Sequence, residues 1–388
     1  MKLGLDIGNS SVKGALLRNN NQIVSVIRMP SAINHISDEK YLTYPNTGDF
    51  YIQVLSSALG HYDGIVAVGE KAVNLPGYNE FDVTSSSYKT NHPMTTSMLF
   101  GSIANAIDGV PDVFEGDVIN IKLAVSIPIV ESKSIGLAKE YKSLLEGLHV
   151  VRVFRDTEVV DITINIEAAI ISNEGQAGFL GLLDTVDKQF RAAITAVYKA
   201  LGEEEDPVGT FEDFIVCDIG EGTSDVSVFR NKKFNPDYSF SITRGIGNLL
   251  EDAMDNAKRE KLTIESRKEL QRVLESTNKR QTKRREQWAE YVTPTENEFI
   301  DTIVDTIVKA YGNRDYFDAI IFVGGGFSAL TGYAVDLGVV EMRNDRLFKV
   351  LEERLEGLNK EVSIVIGIPM PYSSSINERE LTQILTGM

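Results

Sequence analysis

Hydrophobic positions along the chain follow two periods. Short apolar runs bounded by Gly and small polar residues predict buried strands at 3–5, 12–17, 216–217, 226–229 and 319–323. Spacings of three and four at Phe179, Leu183, Val186, Phe190, Ile194, Val197 and Leu201, closed by Gly202, predict a long amphipathic helix or two in tandem. Helices are also expected at 248–258 and 264–275. Thr293-Pro294-Thr295-Glu296 carries the cap, first-turn proline and third-position glutamate of a helix start, with that helix running to about Tyr311.

The pattern repeats itself. Leu3-Gly4-Leu5-Asp6-Ile7-Gly8-Asn9-Ser10-Ser11 and Val216-Cys217-Asp218-Ile219-Gly220-Glu221-Gly222-Thr223-Ser224-Asp225 both run apolar strand, Asp-Ile-Gly, small polar residues, second strand. They predict two strand-turn-strand hairpins that open two related domains. One Asp-x-Gly is ordinary turn chemistry; two at equivalent places are a duplication. The strand at 319–323 feeds Gly324-Gly325-Gly326, which fits either a tight strand-to-helix turn or a loop that lets a ligand touch the backbone. Glu203-Glu204-Glu205-Asp206-Pro207 marks a solvated break. The expected domains are therefore 1–205, with a terminal helix at 376–388 returning to it, and 206–375, with a helical subdomain at about 248–292.

A length of 388 residues suits two or three domains, and 43% hydrophobic with 24% charged residues is an ordinary globular composition. Neither disorder nor a membrane span is expected: the apolar stretch at 119–130 is broken by Asn120, Lys122, Ser126 and Pro128. The N-terminus enters a strand at once, without the pattern of an export signal, so a cytoplasmic location is expected. A single cysteine, Cys217, forms no internal disulfide, and no His/Cys group has zinc-ligand spacing. The net charge of −17 opposes direct binding of nucleic acid, so any DNA role would need an adaptor. Lys279, Arg280, Lys283, Arg284 and Arg285 form a dense basic run in this acidic chain, suited to an exposed helical face or to the acidic surface of a neighbouring subunit.

A triphosphate with Mg²⁺ needs backbone N–H groups, small hydroxyl residues, a cation and carboxylates that order the metal's waters. The first hairpin offers each: Gly8, Asn9, Ser10 and Ser11 as close backbone and hydroxyls, Lys13 as the cation, Asp6 as the carboxylate. The second repeats the offer with Asp218, Gly220, Gly222 and Thr223, and Gly245-Ile246-Gly247 before Asn248 adds a helix N-terminus. These pieces describe one nucleotide held between two domains. A Walker-type loop and a Gly-x-Gly-x-x-Gly dinucleotide turn are both absent from the sequence. Asn173-Glu174-Gly175-Gln176-Ala177 heads the predicted interdomain helix, where the Glu174 carboxylate would face the cleft and serve an attacking water or else complement the helix dipole.

Together these residues resemble the actin-like ATPase superfamily. The segment from Leu5 to Lys13 looks like its first phosphate motif, that from Val216 to Asp225 like its second, and Val323 to Gly326 like its adenosine motif. Within it, Ile65-Val66-Ala67-Val68-Gly69-Glu70-Lys71-Ala72, Thr90-Asn91-His92 and Glu174-Gly175-Gln176-Ala177-Gly178 look most like the ParM-type and Alp-type bacterial actins that segregate plasmids. The resemblance implies an α/β, actin-like two-domain fold: duplicated ribonuclease-H-like mixed sheets flanked by helices, with a nucleotide cleft between the domains. It further implies ATP, with GTP left open, and Mg²⁺ as cofactors, and a filament of self-associated subunits joined to a centromere-like DNA site by a DNA-binding adaptor. Glu174, with Gln176 second, would serve the attacking water. Asn9 departs from the Ser or Thr of many relatives, the stretch between Glu174 and Asp218 is long for a ParM-like protein, and no adenine-contacting residue is matched. The alternatives are a small-molecule kinase on the same scaffold and a filament with a cargo other than a plasmid; a chaperone lacks its substrate-binding domain here.

Overall fold

The fold is that of a computed structural model describing residues 1–39, 42, 51–56, 64–80, 89–108, 110, 118–155, 158–173, 195–196, 199, 202, 210–276, 278–332, 334–336, 339–342 and 344–368. Glu174, Gln176, most of the helix expected at 179–201, the acidic break at 203–207 and the terminal helix at 376–388 lie outside the described residues. Two compact units divide the chain. One comprises Met1–Asp82, Ser86–Asp184 and Ser374–Met388; the other, Val83–Ser85 and Thr185–Ser373.

In the first unit the strands are β1 (Lys2–Ile7), β2 (Ser11–Leu17), β3 (Ile23–Pro30), β4 (Ala32–Ile36), β5 (Tyr51–Leu55), β6 (Ile65–Val68), β7 (Asn79–Glu80), β8 (Val118–Ile127), β9 (Gly147–Phe154) and β10 (Val159–Asn173). Its helices are α1 (Glu70–Val73), α2 (Pro93–Asp108), α3 (Ile129–Ser132) and α4 (Ile135–Leu145). The strands form one sheet in the order β3-β2-β1-β8-β10-β9-β5-β6-β4-β7. All six residues of β1 are buried, as a central strand requires, whereas β10 starts with alternation, Val160, Ile162, Ile164 and Ile166 inward and Val159 and Asp161 outward. Helix α2 carries Met94, Met98, Leu99, Phe100, Ile103 and Ile107 around its circumference, all buried, and packs on the strands. At Gly101 a Cβ would stand 3.0 Å from Val68 Cγ2, so the glycine sets how closely helix and sheet approach.

The second unit has β11 (Phe214–Ile219), β12 (Ser224–Arg230), β13 (Lys233–Ile242), β14 (Tyr316–Val323), the small hairpin β15 (Ala334–Asp336) and β16 (Val339–Glu341), and β17 (Glu361–Gly367). Its described helices are α5 (Ile246–Arg259), α6 (Arg267–Glu275), α7 (Thr282–Tyr311), α8 (Gly325–Thr331) and α9 (Arg346–Gly357). The sheet runs β13-β12-β11-β14-β17. This is the order and direction of β3-β2-β1-β8-β10 over again: β12 is antiparallel to both neighbours, while β11 and β14 continue in parallel, as do β1 and β8. The sequence repeat is thus a repeat of a whole five-stranded mixed sheet.

The helix start expected at Thr293 is corrected. Helix α7 begins at Thr282 and carries Pro294 in its interior. Trp288, Val292, Thr295, Phe299 and Ile303 form a buried stripe at helical spacing through the proline. Burying that stripe outweighs the roughly 3 kcal/mol an interior proline costs. The Thr295 hydroxyl turns inward to donate to Val292 O at 2.8 Å. Among the described residues no helix is long and apolar enough to cross a membrane.

Candidate nucleotide site

The two hairpin turns follow one design. In the first, Asp6 pairs with Lys13 and Ile7 with Val12 across β1 and β2, and the Gly8 N–H donates to Ser11 O at 3.1 Å. In the second, Asp218 pairs with Asp225 and Ile219 with Ser224, and the Gly220 N–H donates to Thr223 O at 2.9 Å. A Cβ at Gly8 would lie 2.8 Å from Ser11 O, and one at Gly220 would lie 3.0 Å from Thr223 O. The first turn has no room for a side chain at Gly8, and the second has little at Gly220. Among the described residues, the N–H groups of Asn9, Ser10, Gly222 and Thr223 have no hydrogen-bond partner. Each turn therefore presents two backbone donors to whatever approaches its tip.

The first turn is braced from β3 and β8. Ser31, which follows β3, is 1% exposed; its hydroxyl donates to Gly8 O at 2.5 Å and its N–H to Ser10 O at 3.0 Å. Asp6 is buried and accepts from Ser126 Oγ of β8 at 2.9 Å. Lys13 is half-buried and makes no ion pair among the described residues.

Within the second unit the fold gathers three of the sequence's glycine segments. The Ile246 N–H donates to Gly220 O at 3.0 Å and the Gly247 N–H to Glu221 O at 2.8 Å, seating the start of α5 on the β11–β12 turn. A Cβ on Gly245 would stand 2.5 Å from Gly220 O. From the other side, Gly324 holds φ at +98°, where a side chain would overlap Asp218 Oδ1 and Ile219 O; a Cβ on Gly326 would come within 2.7 Å of Gly220 O. The turn backbone is wedged between two glycine segments with no room for side chains. Gly325 differs: it is exposed, and a Cβ there would meet open space. Asn248, buried, accepts from the Gly245 N–H at 2.8 Å and fixes the first turn of α5.

Four residues at these turns were not singled out from the sequence. Arg267 of α6 lies 3.4 Å from Glu221 Oε1 and 3.5 Å from Glu251 Oε1, and its guanidinium faces Gly247. Asp225 is 1% exposed and accepts from Ser241 Oγ. It stands seven residues after Asp218 as Lys13 stands seven after Asp6, a signal the repeat itself contains. Ser31 and Ser126 are the others. Burial pushes the Cys217 thiol well up, helped by Asp218 and Asp225, so this cysteine is a core residue. Among the described residues no group of three His, Cys, Asp or Glu side chains could cage a metal.

A model of the C-terminal part of the archaeal actin homologue MreB-like family matches residues 216–333, under a third of the chain. Among curated proteins none matches the sequence. Solved structures align along the whole chain. The actin-like protein Alp7A has a TM-score of 0.65 at 16% identity, covering 100% of this chain and 96% of its own. Ta0583, an archaeal actin homolog, scores 0.63 at 15% identity with 100% and 99% covered. ParM of Bacillus thuringiensis with AMPPNP scores 0.57 at 18% identity with 100% and 99% covered. With its two mixed sheets flanked by helices, the chain has the actin-like fold and resembles the ParM and Alp types within it.

Proposed function

We propose that the chain is an ATP-binding, ATP-hydrolysing protein that polymerises on binding nucleotide and, through a DNA-binding adaptor, moves or segregates plasmid DNA. The observation that carries the reading is the duplicated turn, each copy closing around a glycine and presenting two unpartnered backbone N–H groups. The likeness to ParM and Alp7A supports it, as do neighbours described with ATP, AMPPNP and ADP.

In this reading the N–H groups of Asn9, Ser10, Gly222 and Thr223 donate to phosphate oxygens, with Ser11 and Thr223 adding hydroxyls. Lys13 adds a point charge, and Asp6 and Asp218 would hold the water shell of a Mg²⁺ ion, which when bound would supply charge neutralisation to the phosphates. Gly245, Gly247 and Asn248 seat the start of α5 on the second turn on the sugar side, and Gly324 and Gly326 hold their loop against that turn so that Gly325, with open space beside it, admits the base against the backbone. Glu174, or failing it Gln176, positions the attacking water.

Light scattering and pelleting with ATP-Mg²⁺, ADP-Mg²⁺ or no nucleotide, beside Glu174→Ala, test the proposal. The expected result is pelleting triggered by ATP, with polymer persisting longer in the variant. ATP turnover without assembly would overturn the filament reading and point to a small-molecule kinase.

A further inference from the structure

The charge of the chain is unevenly placed. Residues 258–285 hold eleven lysines and arginines against four acidic residues, a net charge of +7, so the other 360 residues carry −24. This basic segment covers the end of α5, all of α6 and the beginning of α7. Side chains tie the three helices together: Tyr291 Oη of α7 donates to Glu260 Oε2 at 3.2 Å, Arg284 of α7 meets Glu269 of α6 at 2.7 Å, and Arg285 donates to Ser276 O at 2.8 Å. Glu269 also accepts from the Glu265 N–H at 3.0 Å. Two of the segment's four carboxylates are thus engaged in bracing it.

Most of the cations are not engaged. Lys268 and Arg272, four apart and so on one face of α6, and Lys279, Arg280 and Lys283, which lead into and open α7, are exposed with no ion-pair partner among the described residues. The same holds for the three cations between 258 and 261, where α5 ends. No apolar anchor accompanies them: among the described residues, none of the large apolar side chains left exposed lies in α5, α6 or α7. The centre of a protein interface is apolar and poor in lysine, and a helix that lies on a membrane sinks an apolar face into it. The phosphate backbone of a nucleic acid asks for neither. It is held by lysine and arginine, each neutralised phosphate releasing condensed counterions.

We infer that the exposed face made by the end of α5, by α6 and by the start of α7 binds the phosphate backbone of double-stranded DNA directly and without regard to sequence. The net charge of −17, which argues against such a contact, is an average over the whole chain. At physiological salt, charges more than about 8 Å away are largely screened, so a phosphate lying on these helices meets the local excess of cations and little of the distant acids. The contact adds to any made through an adaptor. It depends on neither assembly nor ATP turnover, because one subunit carries the whole surface.

Fluorescence anisotropy of a labelled DNA duplex, titrated with the full chain free of nucleotide, tests it. Binding is expected at about 50 mM salt, weakening at least about tenfold by about 200 mM, with two duplexes of unrelated sequence bound alike. A variant combining Lys279→Ala, Arg280→Ala and Lys283→Ala should lower the slope of log affinity against log salt by about 2–3 and cost at least about tenfold at the lower salt. A control combining Lys139→Ala, Lys233→Ala and Arg346→Ala, exposed cations outside the segment, should change neither. Thermal melts check each fold; if the first variant unfolds, Lys268→Gln with Arg272→Gln serves, with a slope smaller by about 1–2. No duplex bound at the lower salt, or a first variant that binds as the wild type does, would overturn the inference. So would a segment whose alanines abolish only binding to vesicles containing phosphatidylserine, or only pelleting with ATP-Mg²⁺, since the partner would then be a membrane or another protein. A chain that binds duplex yet never assembles would overturn the filament reading and leave this contact standing.

Discussion

Gly324 and Gly325 are neighbours with opposite demands. At Gly324 the positive φ and the closeness of Asp218 and Ile219 leave no place for a methyl group, so Gly324→Ala should destabilise the second unit by about 2–4 kcal/mol. Gly325→Ala meets open space, and thermal melting should move by less than about 0.5 kcal/mol equivalent. Nucleotide affinity, read by titration with a fluorescent ATP analogue, should fall in both. A Gly325→Ala protein with unchanged melting and unchanged affinity would remove that glycine from the site. A different balance operates at Glu296 of α7, whose carboxyl burial holds above the ordinary range against the opposing Asn344 hydrogen bond and Arg346 charge. The folded chain thus keeps this proton to higher pH than the unfolded chain, and the residue's contribution to stability declines as pH rises from the ordinary glutamate range through the raised value. Glu296→Gln should therefore raise the melting temperature at pH 7, with the gain shrinking towards pH 4; an equal gain at both would refute the account. The glycines were legible because each turn is local and the repeat printed it twice. Ser31, Ser126 and Arg267 were not, because their contacts depend on strand register and helix placement over long sequence separations.

Helix α7 shows why element boundaries resist reading. The stretch at Thr293 to Glu296 has sound cap chemistry, yet Trp288 and Val292 extend the buried face upstream, and tertiary packing overrides the local signal. Pro294 removes the backbone donor that would reach the carbonyl four residues earlier. Pro294→Ala should restore that bond and stabilise the second unit by up to about 3 kcal/mol, seen as a higher melting temperature. A lower one would mean that the packing of Trp288 and Phe299 depends on a bend at the proline. The five-strand repeat was readable from its two hairpins, whereas the extension β9-β5-β6-β4-β7 was not. Those strands pair across long gaps in sequence, and β10 joins them to the repeat by pairing with β8 along one edge and β9 along the other.

At the scale of the molecule, the two units share a sheet plan and differ in what surrounds it. The first extends its sheet to ten strands; the second keeps five and adds the helices that carry the basic segment. A pull along α7 loads this helix lengthwise over about 45 Å. Its hydrogen bonds then bear tension in series, and the link missing at Pro294 makes the middle of α7 the place that yields first. Any lengthwise force carried through this unit thus meets a built-in limit, set by a single proline.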